Sequence, residues 1–175
     1  MTSYSIYYPQ SDDPQEVWRS RVETFLSGAA RSFLDTAEVV TEEEDPAETE
    51  EAYAVWWHSE RRGWELDAIH PDDRPRFVKR LGDFAGENPG DLALVVNQIL
   101  EDARRLGHAY VHDVDTAWYR AGELYIYNSQ GQGIGLWEHG DAGKRLSERI
   151  GYHPVRGFTY PPGDERGRYV QIEEI

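Results

Sequence analysis

Apolar residues first recur at helical intervals behind Asp13. Val17, Trp18, Val22, Phe25, Leu26, Ala29 and Phe33 form one stripe at the spacing of a helix face. Asp13 is a good N-cap, Pro14 occupies the first helical position, and Glu16 stands at capping-box distance. The pattern predicts a helix running to about Leu34. A second begins behind Pro71-Asp-Asp-Arg-Pro75, with Phe77, Val78, Leu81 and Phe84 on its buried face, and Asn88-Pro-Gly90 stops it. A third follows Asp91, with Leu92, Val95, Val96, Ile99, Leu100, Ala103 and Leu106 in phase, and ends at Gly107. A fourth is expected from Asp141 to Ile150, closed by Gly151.

Between these helices the apolar residues alternate or cluster as strands do. Tyr4–Tyr8 reads as a first strand. Ala52–Ser59 and Trp64–Ile69 read as a hairpin about Gly63. Ala109–Val114, Thr116–Arg120, Glu123–Asn128 and Ile134–Trp137 read as a β-meander, with Gly122 and the Gly131/Gly133/Gly135 cluster as its turns. A proline-rich loop, Tyr152–Gly167, leads to a last strand at Arg168–Ile172. The expected fold is therefore one α+β domain spanning 1–175, mostly antiparallel sheet, with a C-terminal meander packed by about four helices. No run reaches the ~20 apolar residues of a membrane span, and Met1–Tyr8 has neither the basic nor the apolar region of a signal peptide. The expected location is the cytoplasm. Nothing in the pattern specifies an oligomeric state.

Charge changes this picture in one place. The chain carries 33 acidic and 18 basic residues, a net charge of −15. From Ser32 to Glu60 it has no Lys or Arg but ten acids, so this stretch holds −10 of the −15. Uniform adaptation to salt would spread carboxylates over the whole chain, and the remainder is close to balance. Residues 41–51, with Pro46 and no apolar periodicity, read as an acidic surface loop. Such a cluster suits a basic protein partner, because complementary charge raises association rate and specificity. Its acids Glu42, Glu43, Glu44, Asp45, Glu48, Glu50 and Glu51, with the neighbouring Trp56 and Trp57, are the candidate partner-binding residues.

DNA mimicry is a special case. Duplex DNA presents a charge every ~1.7 Å of axis. Asp35–Glu51 places nine acids in 17 residues, about one per 6 Å if extended and about one per 3 Å if helical. The segment alone matches poorly unless it is helical or joined by other acids such as Asp12, Asp13 and Glu16. Direct nucleic-acid binding is not expected, since the basic clusters Arg61-Arg62 and Arg74/Arg76/Lys79/Arg80 are small and interleaved with acids.

Catalytic motifs are sparse. There is no cysteine, which excludes disulfides, thiolate metal sites and cysteine nucleophiles. Neither G-x-S-x-G nor a P-loop is present: Glu138 and Arg145 occupy positions a P-loop around Gly143-Lys144 would need for Gly and for Ser or Thr. His139 and His153 stand without a motif. The one cluster with metal-ligand chemistry is His108, His112, Asp113 and Asp115. On a strand the two histidines would lie ~13 Å apart and could not share an ion unless the chain bends, while Asp113 and Asp115 would share a face. The leading expectation is a non-enzymatic acidic interaction protein of inhibitor, immunity or assembly-factor type, with no cofactor. The alternative is a metal-dependent hydrolase or nuclease using a divalent ion at His108–Asp115.

Overall fold

Asp13 does cap the first helix. Its side chain accepts a hydrogen bond from the Gln15 N–H at 2.9 Å, and α1 runs Pro14–Asp35. The computed structural model describes residues 12–40, 65–161 and 163–175, so the expected strands Tyr4–Tyr8 and Ala52–Ser59 lie outside the described residues. Four more helices follow: α2 (Arg74–Glu87), α3 (Pro89–Leu106), α4 (Val114–Ser129) and α5 (Gly140–Ile150). Among the described residues none is long and apolar enough to cross a membrane.

Three short strands complete the fold: β1 (Glu38–Val39), β2 (Arg156–Thr159) and β3 (Gln171–Glu174). Their order is β1-β2-β3, with β1 parallel and β3 antiparallel to β2. The described chain is thus mostly helical with a small mixed sheet. The α+β class stands, but the mostly antiparallel sheet, the meander and the count of four helices do not.

The largest correction is the meander. Residues expected to form strands Thr116–Arg120 and Glu123–Asn128 form α4 instead. Asp113 starts that helix through a capping box: its side chain accepts from the Thr116 N–H at 2.8 Å, and Thr116 Oγ1 accepts from the Asp113 N–H at 3.1 Å. Ala117, Trp118, Ala121, Leu124 and Tyr125 are buried at helical spacing. Aromatic and branched residues had suggested strands, and tertiary packing overrides that weak preference. Ile134–Trp137 and residues 65–69 of the expected strand Trp64–Ile69 are not strands either. Tight helical turns occupy Leu136–Glu138 and Leu66–Ala68, and Ile69 makes a single bridge to Val170.

Gly122, expected as a turn, lies inside α4 and brings it against α1. A Cβ there would overlap the Phe25 carbonyl, and one at Gly28 of α1 would overlap the Tyr119 carbonyl. The two glycines therefore let two backbones touch. The helices run in the same general direction: Arg21 meets Asp115 near their starts, and Gln130 Nε2 donates to Thr36 Oγ1 at 2.9 Å beyond their ends. Trp18 packs edge-on against Trp118, and Phe25 against Tyr125. The buried apolar residues form a cluster that draws on all five helices, with Val155 and Val170 supplied beside the sheet.

The described residues that flank 41–64 lie at the sheet on one side and beside it on the other. On one side the Val40 N–H donates to the Thr159 carbonyl at 2.8 Å; on the other, Ile69 bridges Val170, whose N–H reaches the Ala68 carbonyl at 2.8 Å.

Candidate functional site

The helix α3 ends at Gly107, whose φ of 74° is a left-handed conformation that favours glycine. This turn folds His108–Val111 back toward the last turns of α3. There an open cleft of about 270 Å³ forms. Ile99, Asp102, Arg105 and Leu106 reach it from α3, Arg120 from α4, and Ile134, Glu138 and His139 from the chain leading into α5.

An imidazole–carboxylate pair lies on its wall. His139 Nδ1 is 2.8 Å from Asp102 Oδ2, and both side chains are largely buried. Asp102 Oδ1 accepts from Gln98 Nε2 at 2.9 Å and from Arg105 at 3.5 Å. Burial alone would raise the Asp102 carboxyl, but the bonds from His139, Gln98 and Arg105 outweigh it and hold the group below its ordinary value. Nδ1 faces an ionised carboxylate and donates to it, so Nε2 is the ring nitrogen left for other chemistry. Backbone geometry supports the pair. The His139 N–H donates to the Leu136 carbonyl at 3.0 Å, and Gly140, at φ 78°, turns the chain straight into α5. Close packing under this turn requires Gly143, where a Cβ would overlap the Leu136 carbonyl.

Aromatic and cationic side chains line the cleft as well. Tyr110 stacks on His108 with ring centroids 5.2 Å apart, and its hydroxyl is 3.1 Å from His108 Nδ1. The Arg120 guanidinium carbon lies 5.5 Å from the centre of the Tyr110 ring.

A second polar cluster surrounds Glu65. Glu65 is buried, and the Tyr119 hydroxyl donates to its Oε1 at 3.1 Å. Burial and the charges of Glu65 and Glu123 push the Tyr119 hydroxyl far above its ordinary value. Arg31 donates to Asp35 at 2.9 Å on the neighbouring face of α1. Burial also raises the Glu123 carboxyl, against the pull of Arg120 and Arg31.

Of the residues expected to bind a partner, Glu42, Glu43, Glu44, Asp45, Glu48, Glu50, Glu51, Trp56 and Trp57 lie outside the described residues. The four expected metal ligands are given separate tasks. His108 lines the cleft, Asp113 caps α4, and His112 Nε2 is 3.6 Å from Asp113 Oδ2. Asp115 is buried in the first turn of α4, paired with Arg21; burial raises its carboxyl more than Arg21 lowers it. Among the described residues, no group of three or more His, Asp or Glu is placed to hold a metal ion. Sequence reasoning missed the Asp102–His139 pair and both arginines of the cleft. Gln98, Asp102 and Arg105 do share a helical stripe, but nothing local links them to His139, which is 37 residues beyond Asp102.

In comparisons with protein-family models, curated proteins and solved structures, the chain finds no match.

Proposed function

We propose that this chain is a non-enzymatic acidic interaction protein whose partner presents a basic protein surface. One observation carries the reading: the stretch Ser32–Glu60 has ten acids and no base. Elsewhere carboxylates are commonly matched within the fold. Asp91 receives Arg145 at 2.8 Å and Arg149 at 2.9 Å, Asp83 receives Lys79 at 2.6 Å, and Asp164 receives Arg166 at 2.8 Å. Asp35 pairs with Arg31 just before the stretch at 2.9 Å, but the stretch itself contains no base, which suits its remaining acids to a cation from another molecule. Val40 at β2 and Ile69 at its bridge to Val170 flank residues 41–64 within the fold.

The test is affinity capture with the full chain at 50 mM and 1 M salt, beside a variant carrying Glu42→Gln, Glu43→Gln, Glu44→Gln, Asp45→Asn and Glu48→Gln. The expected result is a basic protein retained at low salt by the parent and lost both in the variant and in high salt. Equal retention by the variant, or retention unchanged at 1 M salt, overturns the reading.

A further inference from the structure

We propose that the cleft at the end of α3 is a binding site for a small carboxylate with an apolar body, such as an arylacetate. It goes beyond the acidic-partner reading and uses none of the residues that carry it.

Size sets the first limit. At about 270 Å³ the cleft falls just below the usual range of ligand pockets, ~300–1,000 Å³. That is room for about one ring with its acid group, and too little for a nucleotide or a peptide.

Charge sets the second. The cleft of this strongly acidic chain gathers Arg105, Arg120, His108 and His139. Its two carboxylates already have partners. Asp102 accepts from His139, Gln98 and Arg105, and Glu138 Oε2 accepts from the Gly135 N–H at 3.2 Å. The guanidinium groups are less committed. Arg105 meets Asp102 at 3.5 Å and Arg120 meets Glu123 at 3.7 Å, both long for a charged pair. Each guanidinium has five N–H donors in a planar fork that matches a carboxylate. His139, whose Nδ1 is taken by Asp102, lines the cleft as well.

Lining chemistry sets the third. Ile99, Leu106, Val111 and Ile134 border the cleft with the Tyr110 ring. Leu106, Tyr110 and Ile134 are exposed hydrophobic residues. A site for inorganic phosphate would have no use for this surface, whereas an aromatic or branched apolar group would cover it. The ligand therefore needs both ends: an anion for the arginines and an apolar body for Leu106, Ile134 and Tyr110.

The test is titration of the full chain with phenylacetate, followed by amide NMR shifts. Acetate, phenethylamine and inorganic phosphate serve as probes of the same solution. Saturable shifts confined to residues 99–111, 120 and 134–139 are expected, with phenylacetate binding at least tenfold more tightly than any of the other three. Arg105→Gln and Arg120→Gln should each weaken phenylacetate about tenfold. Arg105 is an exposed side chain, so its variant keeps the reading testable if loss of Arg120 disturbs folding. Non-saturating shifts, equal binding of phenethylamine or acetate, or unchanged affinity in Arg105→Gln overturn the proposal. Preference for inorganic phosphate overturns the apolar half of it.

Discussion

Where α1 crosses α4, glycines bring two backbones into contact. At the end of α3 the neighbouring elements stand apart, and side chains border an open cleft of about 270 Å³. The first region has no slack, because a carbonyl cannot move aside as a flexible side chain can. The second is a set of polar contacts around a space, where one atom can change without a clash. The same chain thus separates the place that fixes its fold from a place able to accommodate something else.

The sharpest way to break this contrast is to add bulk at the crossing. Gly122→Val should cost more than about 3 kcal/mol, since its Cβ meets the Phe25 carbonyl and neither helix can retreat without disturbing the core. Gly86→Ala, on the open side of α2, has nothing within 4 Å of the new Cβ and should be neutral or stabilising by up to about 1 kcal/mol. Urea denaturation of the two variants measures both. Comparable losses would show that the crossing is not specially tight.

An intermediate effect is expected from the buried pair at the start of the same crossing. Arg21→Met leaves Asp115 buried without its partner and should cost about 3 kcal/mol. Adding Asp115→Leu should recover much of that loss, because it removes the stranded carboxylate. A double variant less stable than Arg21→Met in urea would instead give Asp115 a role beyond this pair.

The smallest effects should appear as opposite pH dependences. Asp102 lies below its ordinary value when folded, so its contribution is present above that ordinary value and is lost as pH falls through the lowered one. Glu123 lies above its ordinary value, so the folded state holds its proton more tightly and its contribution declines as pH rises through that window. Asp102→Asn should flatten the acid side of the stability profile. Glu123→Gln should gain stability at pH 7 relative to pH 4. Urea midpoints between pH 3 and 8 check both, and parallel profiles in the two variants would refute the assignment.

Helices whose signal is local were legible in the sequence. Asp13-Pro14 announces α1, and the stripe to Leu106 with Gly107 behind it fixes the end of α3, although that helix begins at Pro89 behind Asn88 rather than at Asp91. The helix α4 was not legible, because its signals have two meanings. Gly122 can be a turn or a close approach, and only the position of Phe25 decides between them. Tyr125 and Tyr127 suit a strand by preference, yet Tyr125 is core because Phe25 and Phe84 pack edge-on against it. His108 was noticed for metal chemistry and found in a cleft. The Asp102–His139 pair stayed hidden because the fold, rather than any spacing, brings α3 to the start of α5. The acidic stretch was legible at once, since charge needs no partner in order to be counted.

The crossing of α1 and α4 also bears on how the chain reaches its native state. Gly28 and Tyr119 touch although 91 positions separate residue 28 from residue 119. Helical proteins owe their speed to contacts between near neighbours in sequence, and the search slows as those separations grow. Here the tightest helix contact joins remote parts of the chain. Each helix can form early by itself, but the interlocking of α1 with α4 must await closure of the intervening chain. The folding rate should therefore resemble that of a mixed α/β protein more than that of an up-and-down bundle.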